Sequence, residues 1–452
     1  MTIYSIIQKS QLEGANRLDA EYYQLEYLAY VDKIRNISKP LSELVTTIKH
    51  PAEIKRIYEK LGIPFLLTQN ISPEIYTLQF EEKRFIRQKD AAKIHQNKLI
   101  SGDVIMTRTG ANYGDVAVYL GEPQELFASA HILIIRPKNI DGKYLATYLN
   151  SIVGRALVKR GIYGTSQPEI SLEYLKNLLV PIPNKKIIEE IVNLVKTAYQ
   201  EIKNSKLIYS QAENLLLEEL GLKYFKTGDD SSYVVYLSSV KSANRMDAEY
   251  FQLRYERLIS KIKNKNAKFL GELVSLKKGI EPGSEEYQEE GKLFIRVSSL
   301  SKYVVEDKDQ KYLNSELYQK LKGNFEPKVG EILLTKDATP GIAYVLKEPV
   351  EGIIAGGILR LKVKENIDAE YLTLCINSII GQFQAERDAG GSVIAHWKPE
   401  QIKKILIPIL PDSTQQKIAD LVRKSHEARK KAKELLEEAK RKVERMIEEG
   451  KF

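Results

Sequence analysis

ANRLDAEYYQLEYLAYVDKIRN (residues 15–36) and ANRMDAEYFQLRYERLISKIKN (residues 243–264) are two copies of one stretch, identical at 13 of 22 positions. The repetition decides the fold, because it continues in order along the chain. Leu41-Ser-Glu-Leu-Val is answered by Leu270-Gly-Glu-Leu-Val. Ser101-Gly-Asp-Val-Ile-Met-Thr-Arg is answered by Val329-Gly-Glu-Ile-Leu-Leu-Thr-Lys, and Leu178-Leu-Val-Pro-Ile-Pro by Ile405-Leu-Ile-Pro-Ile-Leu. A whole unit has been duplicated in tandem. The framework segments match, whereas residues 49–100 and 277–328 barely align.

Each unit ends in a long amphipathic run. Ile188, Ile191, Val195, Ala198, Ile202, Ser205, Tyr209, Ala212 and Leu216 fall at spacings of three and four, which keeps one stripe on a helix. Pro181 and Pro183 precede this run and Gly221 follows it. The second run carries Ile418, Val422, Ser425, Ala432, Leu436, Ala439, Val443 and Met446. Two narrow stripes of similar length predict that the two helices pack against each other along one seam. That seam is assigned to Ile188, Ile191, Val195, Ile202, Leu216, Ile418, Val422, Leu436 and Val443.

Within each globular part the pattern is mixed. Residues 15–36 and 243–264 read as helices opening at Asn16 and Asn244. Short apolar runs from Asp103 and Glu331, Val116 and Ile342, and His131 and Ile358 read as strands, and helices are expected from Tyr144 and Tyr371. The fold class is therefore α+β: two duplicated mixed domains, each followed by a long helix. The predicted segments are residues 1–186 (first domain), 187–222 (first helix), 223–231 (linker), 232–412 (second domain) and 413–452 (second helix).

Composition narrows the function. The net charge is +9, with 30 Lys+Arg against 25 Asp+Glu in residues 1–228 and 39 against 35 in the remainder. A basic excess shared by both halves suits a protein that meets a polyanion on two surfaces. One cysteine, Cys375, excludes an internal disulfide and any Cys-based zinc site. The N-terminus lacks a signal-peptide pattern and no run of eighteen apolar residues occurs, so a cytoplasmic protein is expected. There is no phosphate loop, no dinucleotide fingerprint, no Gly-x-Ser-x-Gly elbow and no Asn-Pro-Pro-Tyr motif. The five histidines lack metal-helix spacing. The chain reads as non-enzymatic, with no catalytic, cofactor or metal residues.

The loops after the first core strands are the leading contact candidates. They read Thr107-Arg-Thr-Gly-Ala-Asn-Tyr-Gly114 and Thr335-Lys-Asp-Ala-Thr-Pro-Gly341. They contribute Thr107, Arg108, Thr109, Asn112, Tyr113, Lys336 and Thr339, whose hydroxyl, amide and cationic groups suit phosphates and base edges. A second pair of loops, Lys159–Gln167 and Glu386–Ser392, contributes Arg160, Tyr163, Thr165, Ser166, Arg387 and Ser392. Lys49, Lys277 and Lys278 close strand-like segments, and Gln69, Asn70, Arg296 and Ser298 cap others. His396 and Trp397 complete the set, Trp397 as a stacking platform. For every one of these residues, an ordinary turn, surface-loop or core role competes with DNA contact.

With both units laid out, the chain resembles the specificity (S) subunit of type I restriction–modification enzymes. The resemblance spans nearly the whole length. It rests on Ser101 to Gly110, on Gly164-Thr-Ser-Gln-Pro-Glu-Ile-Ser-Leu-Glu-Tyr-Leu-Lys, on Leu179-Val-Pro-Ile-Pro, and on the second-unit segments from Val329, Ile407 and Gln415. It implies two target-recognition domains, each reading one half of an asymmetric bipartite site in double-stranded DNA, joined by helical spacers that pack as an antiparallel coiled coil. It also implies two methylation subunits that carry S-adenosylmethionine and restriction subunits that use Mg and ATP, in a bacterial or archaeal cell. The alternative is a non-catalytic interaction scaffold with paired heads on a coiled coil.

Overall fold

A computed structural model describes residues 6–7, 17–55, 57–59, 61–72, 75–78, 84–110, 112–164, 168–225, 232–306, 310–364, 367–390 and 395–450. The chain divides into two compact units, residues 1–202 with 429–452 and residues 203–428. Each of the two long helices, α1 (Lys185–Glu219) and α2 (Asp412–Glu449), contributes one half to each unit.

The first unit is built on a four-stranded antiparallel sheet in the spatial order Val45–Lys49, Ile132–Pro137, Val104–Thr107, Val116–Val118. Val104 to Thr107 are all buried, so this strand is apolar on both faces rather than alternating. A smaller sheet sets Ile63–Leu66 between antiparallel Arg84–Ile86 and parallel Phe127–Ala128. Helix Gly142–Asn150 closes the core, capped by the Asp141 side chain on the Lys143 amide at 2.7 Å.

The second unit repeats this plan. Its main sheet runs Val274–Lys278, Ile358–Val363, Ile332–Thr335, Ala343–Val345, and its smaller sheet sets Lys292–Ile295 between antiparallel Lys311–Leu313 and parallel Gly352–Ile354. The segments whose sequences barely align thus share one topology. They differ in their helices, Gln88–Lys93 in the first unit and Ser315–Phe325 in the second.

The opening helices differ from expectation. They start at Leu25 and Leu253, and Asn16 lies outside the described residues. Asn244 opens nothing: it ends the helix Leu237–Ala243 in the left-handed conformation (φ 51°), a helix-terminating role that asparagine tolerates. Arg17 and Arg245 instead fold the next residues back. Arg17 pairs with Asp19 at 2.7 Å, and Asp19 accepts the Tyr22 amide; Arg245 and Asp247 do the same toward Tyr250.

The long helices pair within each unit. In the first unit Glu190 meets Lys442 at 2.8 Å and Glu201 meets Lys431 at 2.5 Å, so α2 runs backward as α1 runs forward. Ile191, Val195, Ala198, Ile202, Leu436 and Val443 join the core of that unit, and Ile188 is half-buried against it. In the second unit Tyr209, Ala212 and Leu216 share a core with Ile418 and Val422. Gly221 ends α1 at φ 67°, with the Leu222 amide on the Leu217 carbonyl (2.7 Å) and the Gly221 amide on the Glu218 carbonyl (2.9 Å). These two bonds satisfy carbonyls that the last turn would otherwise leave open.

Candidate nucleic-acid interface

The site begins where the buried strand Val104–Thr107 emerges at Arg108. Thr107 is fully buried, and its carbonyl accepts the Gly114 amide at 2.8 Å. Gly110 and Gly114 take positive φ (93° and 79°), and a Cβ at Gly114 would lie 2.9 Å from Val158, so the loop turns back tightly on itself.

The short segment just after the second candidate loop, Glu169-Ile170, lies directly against this one. Thr109 bridges Glu169, the Ile170 amide donates to the Arg108 carbonyl, and the Arg108 amide donates to the His131 carbonyl at 2.8 Å. The Arg108 guanidinium grips the Glu169 carboxylate, with Nε at 2.7 Å. Thr109 Oγ1 meets His131 Nδ1 at 2.8 Å. Tyr163 is exposed nearby; burial and a hydrogen bond to Glu169 raise its phenol above the usual range. Burial, then the Arg108 charge, keep His50 below its ordinary value. His131 also lines a cleft with Glu53, Tyr58, Thr68 and Gln69.

The second unit holds its first loop against the corresponding later segment, Ala395-His396-Trp397, with different chemistry. Lys336 takes the place of Arg108: its amide donates to the Gly357 carbonyl at 2.9 Å and its carbonyl accepts the Trp397 amide at 2.8 Å. Asp337 bridges His396, and the Ala338 amide donates to the Ala395 carbonyl at 2.9 Å. His396 Nδ1 lies 2.8 Å from the Asp337 carboxylate, which also pairs with the Lys336 ammonium, while the imidazole is 62% exposed. Burial disfavours the Asp337 charge, but the hydrogen bonds from Lys336 and His396 outweigh it and hold the carboxyl below its usual range. Thr339, Lys277, Lys278 and Ser298 are exposed, and Arg296 is half-buried.

Several expected contact residues are corrected by their burial. Arg160 is 3% exposed; its Nε donates to the Tyr22 carbonyl at 2.8 Å and its guanidinium lies 4.1 Å from the Tyr22 ring. Arg387 pairs with Asp388 at 2.7 Å and lies over Tyr250, doing comparable framework work. Trp397 is 1% exposed and packs in the second core, so it offers no face to a base. Asn70 is buried and caps a turn through the Leu67 amide at 2.9 Å. Lys49 is half-buried, and desolvation followed by the Arg136 charge lowers its ammonium. Asn112 and Tyr113 are half-buried on the first loop and Gln69 is exposed. Thr165, Ser166 and Ser392 lie outside the described residues.

Glu169, His131 and Asp337 are the partners that sequence reasoning missed. The repeat carried no signal for them: aligning the units pairs loop with loop but says nothing about which loops touch. Among the described residues no group of three or more His, Cys, Asp or Glu could hold a metal ion, and no helix is long and apolar enough to cross a membrane.

Comparison with known proteins gives a consistent result. Residues 38–213 and 262–440 each match the type I restriction modification DNA specificity domain. The specificity subunit of the type I restriction enzyme MjaX from Methanocaldococcus jannaschii is 24% identical over 440 residues, covering 92% of this chain and 93% of that protein. Similar solved structures include a type I restriction–modification S subunit from M. genitalium (15% identity, 90% and 95% coverage, TM-score 0.39). Another is the HsdS subunit from Thermoanaerobacter tengcongensis (13% identity, 92% and 97% coverage, TM-score 0.27).

Proposed function

The chain belongs to the family of type I restriction–modification specificity subunits, whose DNA specificity domain it carries twice, and on that premise we propose that each unit reads one half of an asymmetric bipartite site in double-stranded DNA. The observation that carries this reading is the pair of stapled loops. Equal frames hold Arg108, Thr109, His131 and Glu169 in one unit and Lys336, Asp337 and His396 in the other. Unlike donor and acceptor sets on like frames favour unlike base sequences. The basic excess in both halves supports backbone contacts that position without specifying.

The subunit itself is non-catalytic. In this proposal α1 and α2 set the spacing of the half-sites and help dock two methylation subunits. Those subunits bring S-adenosylmethionine and flip the target adenine, and restriction subunits bring Mg and ATP. The test is selection from random duplexes by the chain assembled with its methylation subunit. Enrichment of two unlike half-sites at fixed separation is expected, and binding without sequence preference would sink the proposal.

A further inference from the structure

The cleft beside His131 in the first unit holds about 190 Å³ and is walled by Tyr58 and Phe65, whose ring centroids lie 6.4 Å apart. Pockets for drug-sized ligands begin at roughly 300 Å³, so this one suits a single ring system and not a whole nucleotide. Ser129 lines it at 6% exposure, and among the described residues its Oγ is buried without a hydrogen-bond partner. A buried hydroxyl left unpaired costs free energy that an acceptor on a ligand would recover.

In the second unit the chain fills the equivalent place itself. The Ser129 amide donates to the Leu66 carbonyl and the Ala355 amide to the Ile295 carbonyl, both at 2.9 Å, so Ala355 stands where the first unit has Ser129. Ile280 bridges Ala355, and the next amide, that of Gly356, donates to the Glu281 carboxylate at 2.8 Å. The aromatic pair persists as Tyr287 and Phe294, 5.3 Å apart. Counting from Lys49 and Lys278, the counterpart of Glu281 is Ala52, which bonds the Asn97 side chain instead. Among the described residues no carboxylate accepts the Ala130 amide, the counterpart of Gly356. The first unit thus keeps two donors, the Ser129 hydroxyl and the Ala130 amide, on a cleft whose acceptor is missing. Glu53, also lining the cleft, would repel a phosphate, and the aromatic wall favours a flat ring. The chemistry that fits is a neutral planar ring bearing a carbonyl oxygen.

We propose that this cleft receives one unstacked DNA base, the thymine left unpaired opposite the flipped adenine in one half-site, with a ring carbonyl on the Ser129 hydroxyl and the Ala130 amide. The inference rests on the functional reading above, which supplies the unpaired base. His131 joins the two, since it lines the cleft and its carbonyl holds the Arg108 amide of the reading loop. Holding the orphaned base offsets part of the cost of unstacking, and does so in the first unit only.

The experiment titrates the full chain, assembled with its methylation subunit, against its selected duplex and against two duplexes with an abasic residue in place of that thymine, one per half-site. An abasic residue opposite the target eases flipping, so without a pocket it leaves binding equal or tighter. Wild type should instead bind one of the two abasic duplexes about tenfold more weakly than the intact one, and the other no more weakly. Ser129→Leu, which fills the cleft, should erase that loss. If Ser129→Leu melts lower than wild type, Ser129→Ala, the residue the second unit already has there, should shrink the loss at unchanged melting temperature. Wild type binding both abasic duplexes as tightly as the intact one would overturn the inference while sparing the functional reading, as would a full loss kept by both variants. Thymidine binding to the DNA-free complex, with no abasic loss, would assign the cleft to a free nucleoside and overturn the inference as well. No preference for the selected duplex over random DNA would overturn both readings.

Discussion

The hydroxyls of Ser205 and Ser425 face each other at 3.1 Å, both fully buried, where α1 and α2 meet in the second unit. Ser425 also donates to the Ser205 carbonyl at 2.8 Å. Small residues here let the helices approach closely, and the mutual bond satisfies two polar groups that no water reaches. Ser425→Ala strands the Ser205 hydroxyl and should cost about 1–2 kcal/mol. The double alanine variant removes both partners and should cost less than the sum of the single variants. Urea unfolding followed by circular dichroism tests this, and strict additivity would contradict the pairing.

The stapled loops make the half-sites separable. His396→Ala removes an exposed imidazole held by Asp337 and should relax selection in one half-site only, by about 1–3 kcal/mol at the affected base pair. Glu169→Ala frees Arg108 and should change the other half-site only. Selections with each variant would show this directly; a change in both half-sites from either substitution argues against separate reading.

Glu370 gives the second unit a pH dependence. Burial raises its carboxyl above the ordinary 4.5, and the nearby Lys347 and Arg423 only partly offset this. Lys347 pairs with it, His426 lies 3.9 Å away, and Asp368, Tyr344 and Tyr209 are further titratable neighbours. Because the native state holds this proton more tightly than the unfolded chain, its contribution is full below pH 4.5 and is lost as pH rises through the elevated pKa. Glu370→Gln should flatten that slope and raise the melting temperature at neutral pH by roughly 2 °C. Melting curves from acid to neutral pH check it, and a variant that melts lower at neutral pH refutes it.

The spacing proposal is tested by lengthening both helices together. A heptad inserted after Ile202 and a matched heptad after Ala428 add about 10 Å of rise to each. Selected sites should then gain roughly three base pairs of non-specific spacer with unchanged half-sites. Altered half-site sequences would exclude a spacing role.

The sequence alone determined the duplication, the core strands at Val104 and Ile332, and the stripes of both long helices, because these depend on local periodicity. Ile191, Val195, Ile418 and Val422 are buried through their spacing, which can be read without knowing the partner. Tertiary structure alone decided what the polar residues do. Arg160 and Arg108 look alike in sequence, yet one lies under Tyr22 and the other grips Glu169 at the loop surface. Asn244 could open a helix as readily as close one, and only its left-handed backbone settles it as an end. The division has one physical cause: apolar burial follows a period along the chain, whereas the partner of a charge is fixed by folding distant segments into contact.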